Sequence, residues 1–444
     1  MSGERPRRGG RMSDERPLLL HLTSSAFTPR SHPAIFRTIV GVAPHFTHLV
    51  LCGERSAYHG AALTREEEQS LEARGVFRRE LLFTRLKKPG QLEWLAAGIR
   101  RRFGRPLALV GYIGNNGWRA LPLCRVLDVP LLTWFIGNDA SVDLRDPKYA
   151  WRYERLREAP GALYRGVSSN IVERLLEFGM PRERTGILHM GITLEDYPVP
   201  DRSGREGRPP KLVLGARLMD FKGHRYAFEA FSGLLRKHPG ATLHCYGEGP
   251  LEAELRALAA ALGLAGAVHF RGVIPVEALR AEFASADFAL QPSVTAPDGR
   301  AEGLPNVVLE ELAMGLPVIA SRHAGIPDAV LHEETGLLVA EGDVAGLEAA
   351  MLRLAEDAAL RRRLGEGARR RVELRFDARR LGEQFAGEVR RMAAEYRALP
   401  RAERRRAWRA ATRDLLEPPA EYGLRYRAAW RWKALRNRFE GEIA

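Results

Sequence analysis

Cysteine is scarce. The 444 residues hold three, Cys52, Cys124 and Cys245, far apart and in no CxxC or Cys/His spacing. That pattern excludes a disulfide scaffold, a zinc cage and a redox pair, and no metal is expected. Long apolar runs are missing too: nothing approaches the roughly 18 consecutive apolar residues of a spanning helix. Leu18-Leu19-Leu20-His21-Leu22 follows a basic start, but it is short, broken by His21 and followed by Thr23-Ser24-Ser25, so it reads as a buried strand and not as a signal peptide. The cytoplasm is the expected compartment. Acidic charge is in deficit, 55 Asp+Glu against 69 Lys+Arg, a formal +14. This permits nucleic acid, anionic lipid or phosphorylated substrates as partners without choosing among them. About half the excess lies in residues 397–444, where 13 Arg/Lys face 6 Asp/Glu. No nucleic-acid-binding module runs through the body of the chain, and nucleic acid is set aside.

At 45% hydrophobic and 28% charged, the chain can bury a large core and reads as two domains. Residues 1–16, with Arg5, Arg7, Arg8 and Arg11 among glycines, are expected to be disordered. Residues 17–200 are expected as a first α/β domain, with strands at 17–22, 48–52, 107–110, 130–136 and 163–167. Residues 64–79 have the composition of exposed helix, and 91–102 and 119–127 of further helices. Residues 111–117, Gly-Tyr-Ile-Gly-Asn-Asn-Gly, read as a generic loop at the domain cleft or simply as a turn. They do not make a dinucleotide fingerprint, because no correctly spaced acid on a second strand supports it. Asp139, after the strand at 130–136, is a candidate site residue or an Asp that turns the chain.

Residues 201–210 lack periodicity and are expected as the linker, followed by a second α/β domain at 211–380 and helices with a basic tail at 381–444. In the second domain, strands at 211–215, 241–246, 268–270, 287–290 and 318–320 alternate with helices, the rhythm of a doubly wound parallel sheet. Arg217 and Lys222 follow its first strand, where two cations suit a diphosphate. Gly247 and Gly249 form a further turn that serves either as a phosphate or base contact or as a tight bend. Around Pro305, a loop, helix and strand place Glu302 ahead of a helix start and Glu310 two turns in. The amides of Gly303, Leu304, Asn306 and Val307 lie at that start, where backbone N–H groups hold phosphate and a carboxylate matches sugar hydroxyls. One of Glu310 and Glu311 is expected to face inward.

Taken together, Gly215-Ala216-Arg217 with Lys222-Gly223, Gly247-Glu248-Gly249-Pro250, Phe270-Arg271-Gly272, Glu302 to Glu310 as E-x7-E, Gly315-Leu316-Pro317-Val318-Ile319-Ala320 and Ala324-Gly325-Ile326-Pro327 resemble the family 4 retaining glycosyltransferases. Phe27-Thr28-Pro29-Arg30-Ser31-His32-Pro33-Ala34-Ile35 bears a looser likeness to the early loop of the exopolysaccharide and colanic-acid group of that family. The resemblance implies the GT-B fold, two Rossmann-like domains facing each other across a cleft. It also implies a nucleotide-sugar donor (UDP-, GDP- or another NDP-sugar) in the second domain and a saccharide or lipid-linked acceptor in the first, without a metal cofactor. Carried over by position, Arg217 and Lys222 contact the diphosphate, Glu302 the donor sugar and Glu310 the ribose. Phe135-Ile136-Gly137-Asn138-Asp139 stands where many members have Phe-His-Gly-x-Asp, so Ile136 replaces the usual histidine. Asp139 stays a candidate, and His32 is a substitute. Two alternatives share the architecture: an NDP-sugar epimerase or hydrolase, and an inactive partner subunit. In the tail, Arg404-Arg405-Arg406, Trp408, Arg409, Trp430 and Trp432 interleave base and aromatic, which suits either an anionic membrane surface or an arginine-rich helix packed on its own fold.

Overall fold

The computed structural model describes residues 16–23, 33–52, 63–80, 90–413 and 415. His32, Trp430, Trp432 and residues 1–15 lie outside the described residues. The chain forms two compact units. The first takes in the described residues up to Arg165, Leu175–Gly186 and those from Glu383 on; the second comprises Gly166–Arg174 and Ile187–Gly382.

The first unit is built on β1 (Leu18–Leu22), β2 (Thr47–Cys52), β3 (Val76–Glu80), β4 (Ala108–Tyr112), β5 (Leu131–Phe135), β6 (Leu163–Gly166) and β7 (Thr185–Ile187), in the order β3-β2-β1-β4-β5-β6-β7. β1, β2, β4 and β5 are buried along their whole length, which is why they read as unbroken apolar runs. The histidine that interrupts β1 is buried with them and hydrogen-bonds through Nε2 to Nδ1 of His48 at 2.7 Å.

Two local expectations change here. The stretch 64–79 is not one helix: Thr64 caps a helix at Arg65–Ala73 with a full capping box, Gly75 turns at φ +80°, and β3 follows as the sheet edge. Charge hid the strand, since an edge strand tolerates Arg78, which pairs with Glu68 at 2.5 Å. Residues 111–117 are also not a loop. A helix runs from Gly114 to Leu127 through Pro122, and its glycines allow close packing on β5. A Cβ at Gly114 would stand 2.6 Å from the Phe135 ring, and one at Gly117 2.5 Å from Thr133.

The second unit holds β8 (Lys211–Gly215), β9 (Thr242–Tyr246), β10 (Val268–Gly272), β11 (Phe288–Gln291), β12 (Val318–Ser321) and β13 (Gly336–Val339), all parallel, in the order β10-β9-β8-β11-β12-β13. Alternate residues serve two separate cores. Leu212, Leu214, Phe288, Leu290 and Ile319 pack with Phe228 and Phe231 of helix His224–Lys237, whereas Val213, Ala289, Val318 and Ala320 pack with Val308 and Leu312 of helix Asn306–Ala313. A period of two that is apolar in both phases demands cover on both faces, as the doubly wound reading expects. Strand order reverses between β8 and β11, and in such sheets ligands collect outside the carboxyl ends of the strands at that switch point.

Residues 201–210, expected as the linker, lie inside the second unit. Arg202 explains this. Its guanidinium donates to the carbonyls of Phe283, Ala286, Met314 and Gly315, closing the C-terminal ends of two helices, and Arg205 pairs with Asp287 at 2.5 Å. Composition cannot distinguish an arginine that docks from one in a solvated linker.

Candidate functional site

At the switch point, β8 runs into Ala216-Arg217-Leu218 and a short turn at Asp220–Lys222, and β11 runs into a long loop ending at helix Asn306–Ala313. The structure joins these two loops through side chains the sequence separates by 80 residues. Lys222 Nζ and the Glu302 carboxylate form an ion pair with only 11% and 13% of their side-chain surface exposed, so their attraction is little screened. Close by, Arg300 pairs with Asp220 at 3.0 Å and lies over the Phe221 ring. Gly223 follows Lys222 in the left-handed region, φ +71°, against the carbonyl of Pro292.

Arg217 projects from the same strand end and is exposed, with no carboxylate paired to it among the described residues. Its loop rests on the turn Gly247-Glu248-Gly249-Pro250. Leu218 donates its N–H to the Glu248 carbonyl at 3.0 Å, and a Cβ at Gly247 or Gly249 would stand 2.2 Å from the Ala216 carbonyl oxygen or 2.4 Å from that of Leu218. These two glycines let one backbone lie directly on another, and the tight bend supports the Arg217 loop.

On the other side of the switch point, Gly303, Leu304, Asn306 and Val307 lead into the helix at Asn306–Ala313; Val308 donates to the Pro305 carbonyl at 3.2 Å, and the amides of Asn306 and Val307 have no acceptor within the helix. Pro305 presets the entry, with φ −62°. Of the two adjacent acids, Glu311 faces inward. It is fully buried, accepts from Gln291 Nε2 at 2.8 Å, and burial pushes its carboxyl well above the ordinary glutamate range. Glu310 is half-buried, on the helix face that meets solvent.

The sequence reading missed the partners that hold Glu302. His323, after β12, takes the Glu302 backbone N–H on Nε2 at 3.2 Å, and its Nδ1 lies 2.6 Å from Glu341, after β13. Histidine and glutamate 21 and 39 residues downstream give no periodic signal linking them to Glu302. Chemically, the strand ends of the second unit offer two cations for an anionic group, one carboxylate for hydroxyls, and a helix start for phosphate. Among the described residues, no group of three His, Cys, Asp or Glu is placed to hold a metal ion. A separate hollow of 510 Å³, lined by Arg202, Arg205, Asp287, Gly315 and Arg369, opens at the opposite, N-terminal edge of the sheet; those three arginines are occupied with backbone carbonyls and acids.

Asp139 belongs to the first unit. It is buried, and both its oxygens accept backbone N–H groups: Gly114 at 2.7 Å, Gly137 at 2.6 Å and Ile136 at 3.2 Å. Burial pushes its carboxyl up, and those N–H bonds oppose the shift. The carboxylate thus anchors the start of helix Gly114–Leu127, the chain-turning role weighed for it above. His189 is likewise tied down, its Nδ1 at 2.7 Å from the Val167 carbonyl.

The family profile described as Glycosyl transferases group 1 matches residues 209–357. Over 301 residues the chain is 32% identical to the amylovoran biosynthesis glycosyltransferase AmsK of Erwinia amylovora, an alignment covering 67% of this chain and 73% of that protein. It is 32% identical over 241 residues to the putative colanic acid biosynthesis glycosyltransferase WcaL of Escherichia coli K12, covering 54% of this chain and 59% of WcaL. Among solved structures, Anabaena HepE in complex with UDP and glucose superposes with a TM-score of 0.68 at 17% identity, over 84% of this chain and 99% of HepE, a likeness of fold.

Proposed function

This chain belongs to the group 1 glycosyl transferases, and we propose that it moves a sugar from a nucleoside-diphosphate sugar to a hydroxyl of a saccharide or lipid-linked acceptor in surface polysaccharide biosynthesis, with retention at the anomeric carbon. One observation carries the site assignment: the ion pair that brings Lys222 and Glu302 together at the strand ends of the nucleotide-binding type of sheet. In this reading Lys222 and the exposed Arg217 bind the diphosphate. Lys222 thereby leaves Glu302, whose carboxylate then accepts hydrogen bonds from hydroxyls of the donor sugar. The amides at Gly303, Leu304, Asn306 and Val307 face the sugar and phosphate, Glu310 takes the ribose hydroxyls, and Gly247 and Gly249 keep the Arg217 loop in place. Asp139 holds backbone N–H groups of the first unit.

The bond from the anomeric carbon to the diphosphate oxygen breaks and one to the acceptor oxygen forms on the same face. The acceptor proton passes to the departing diphosphate oxygen, so no protein base is required. Arg217 and Lys222 stabilise the charge that grows on that oxygen. Calorimetry with UDP-, GDP- and ADP-sugars, followed by turnover with and without acceptor, tests this. One nucleotide series is expected to bind, with slow donor hydrolysis until an acceptor is added. Fast donor turnover without acceptor would favour the hydrolase or epimerase alternative, and no binding in any series the inactive subunit.

The membrane part of the proposal narrows to particular residues. In helix Arg401–Thr412, Trp408 is buried and donates Nε1–H to Tyr396 at 2.8 Å, and Arg404 reaches Asp128, so neither faces a lipid surface. Arg401, Arg405, Arg406 and Arg409 are exposed and form the basic face that would lie on anionic lipid. Flotation with phosphatidylglycerol vesicles is expected to carry the protein, and R405S/R406S/R409S to reduce that severalfold; equal recovery of the two proteins would remove the membrane proposal.

A further inference from the structure

Glu302 is held from two directions. Its side chain pairs with Lys222, and its backbone N–H is taken by a histidine whose side chain is only 1% exposed. We propose that His323, locked by Glu341, is a positioning residue that sets the Glu302 loop for donor-sugar recognition; this rests on the transferase reading of the site.

The tautomer follows from the bonding. The Glu302 N–H points at His323 Nε2, so that nitrogen carries the lone pair. The ring proton is then on Nδ1, donated to Glu341 Oε1 at 2.6 Å. Glu341 is itself fixed, because it accepts the Thr295 N–H at 2.8 Å. One chain, Glu341 to His323 to Glu302, therefore ties together the loops that follow β13, β12 and β11.

The backbone around His323 is built for the same contact. Gly325 donates its N–H to the Gly303 carbonyl at 2.8 Å, giving the loop a second tether one residue beyond Glu302. A Cβ at Gly325 would stand 2.4 Å from that carbonyl oxygen, so no larger residue permits the approach. Ala324, between the two tethers, sits at φ +47°, a left-handed conformation that is unfavourable for an alanine. Surrounding contacts must impose it, and the tethers on either side are those contacts.

The two ring nitrogens can be tested separately. In H323Q the side-chain amide reaches the Nε2 position and can accept the Glu302 N–H. In H323N the amide reaches only the Nδ1 position, keeping Glu341 and losing Glu302. Amide hydrogen exchange of the 301–306 segment is measured in the parent, H323Q and H323N, alongside affinity for the best-binding sugar nucleotide and for its nucleoside diphosphate. For H323N, exchange at Glu302 should rise about tenfold and sugar-nucleotide affinity fall about tenfold, the size of one lost hydrogen bond, with nucleoside-diphosphate affinity unchanged. H323Q should stay within about twofold of the parent on every reading. Parent-like exchange in H323N overturns the tether. Raised exchange with unchanged sugar-nucleotide affinity overturns its role in recognition. A parent that binds no sugar nucleotide removes the transferase reading, and exchange alone then decides whether the tether exists.

Discussion

Replacing Glu302 with alanine is expected to lower sugar transfer by about 10²–10³-fold, the range seen when one preorganised polar partner of a transition state is removed. The carboxylate sits at the carboxyl end of β11 beside Lys222, largely shielded from water, where each hydrogen bond to a sugar hydroxyl counts for more than at an open surface. The same change leaves Lys222 without its carboxylate. Nucleoside-diphosphate affinity should therefore hold or rise in E302A, because the lysine no longer has to give up a partner to bind phosphate. That combination separates lost chemistry from lost structure: a collapsed variant would lose both. E302Q, which keeps the shape and can still accept from Lys222, should fall between the two. Steady-state turnover with the best donor and acceptor, with calorimetric titration of the nucleotide, measures it; transfer at the parent rate in E302A would end the assignment of this carboxylate.

G223A should produce the largest loss of stability. Gly223 follows Lys222 at φ +71°, and a Cβ there would lie 1.8 Å from the Pro292 carbonyl oxygen and 2.7 Å from its carbon. Left-handed backbone costs an alanine roughly 1–2 kcal/mol, and forcing backbone away from backbone adds about 1–3 kcal/mol. A sum of about 2–5 kcal/mol corresponds to a melting-temperature fall on the order of 5–15 °C for a domain of this size. Relief requires the loop after β8 to move from the loop after β11, which parts Lys222 from Glu302, so any folded fraction should also bind nucleotide more weakly. A thermal melt of the variant beside the parent checks it, and an unchanged midpoint would mean the loops can separate freely.

The readings that succeeded depended on local signals. In the second unit, β8 and β11 are apolar in both phases and bounded by Gly and Asp, so their strands and the need for cover on two faces could be read directly. The helix start at Pro305 was also visible, because proline and glycine act within a few residues. β3 escaped because an edge strand need not be apolar, and the start of helix Gly114–Leu127 escaped because its cap is Asp139, 25 residues downstream. The docked segment at Arg202 escaped because its four carbonyl partners lie 81 to 113 residues away.

The chain's own order of residues determined two parallel sheets and the family of the protein, and it marked Arg217, Lys222, Glu302 and Glu310 as the groups to watch, since apolar period and Gly/Pro punctuation are properties of neighbours along a chain. Which acid turns inward at Glu310-Glu311, that Asp139 is tied to backbone, and that Glu302 is gripped by Lys222 and His323 were decided only on folding. Those facts depend on distances between strand ends, and parallel strands bring their carboxyl ends together only after crossovers of many residues have closed.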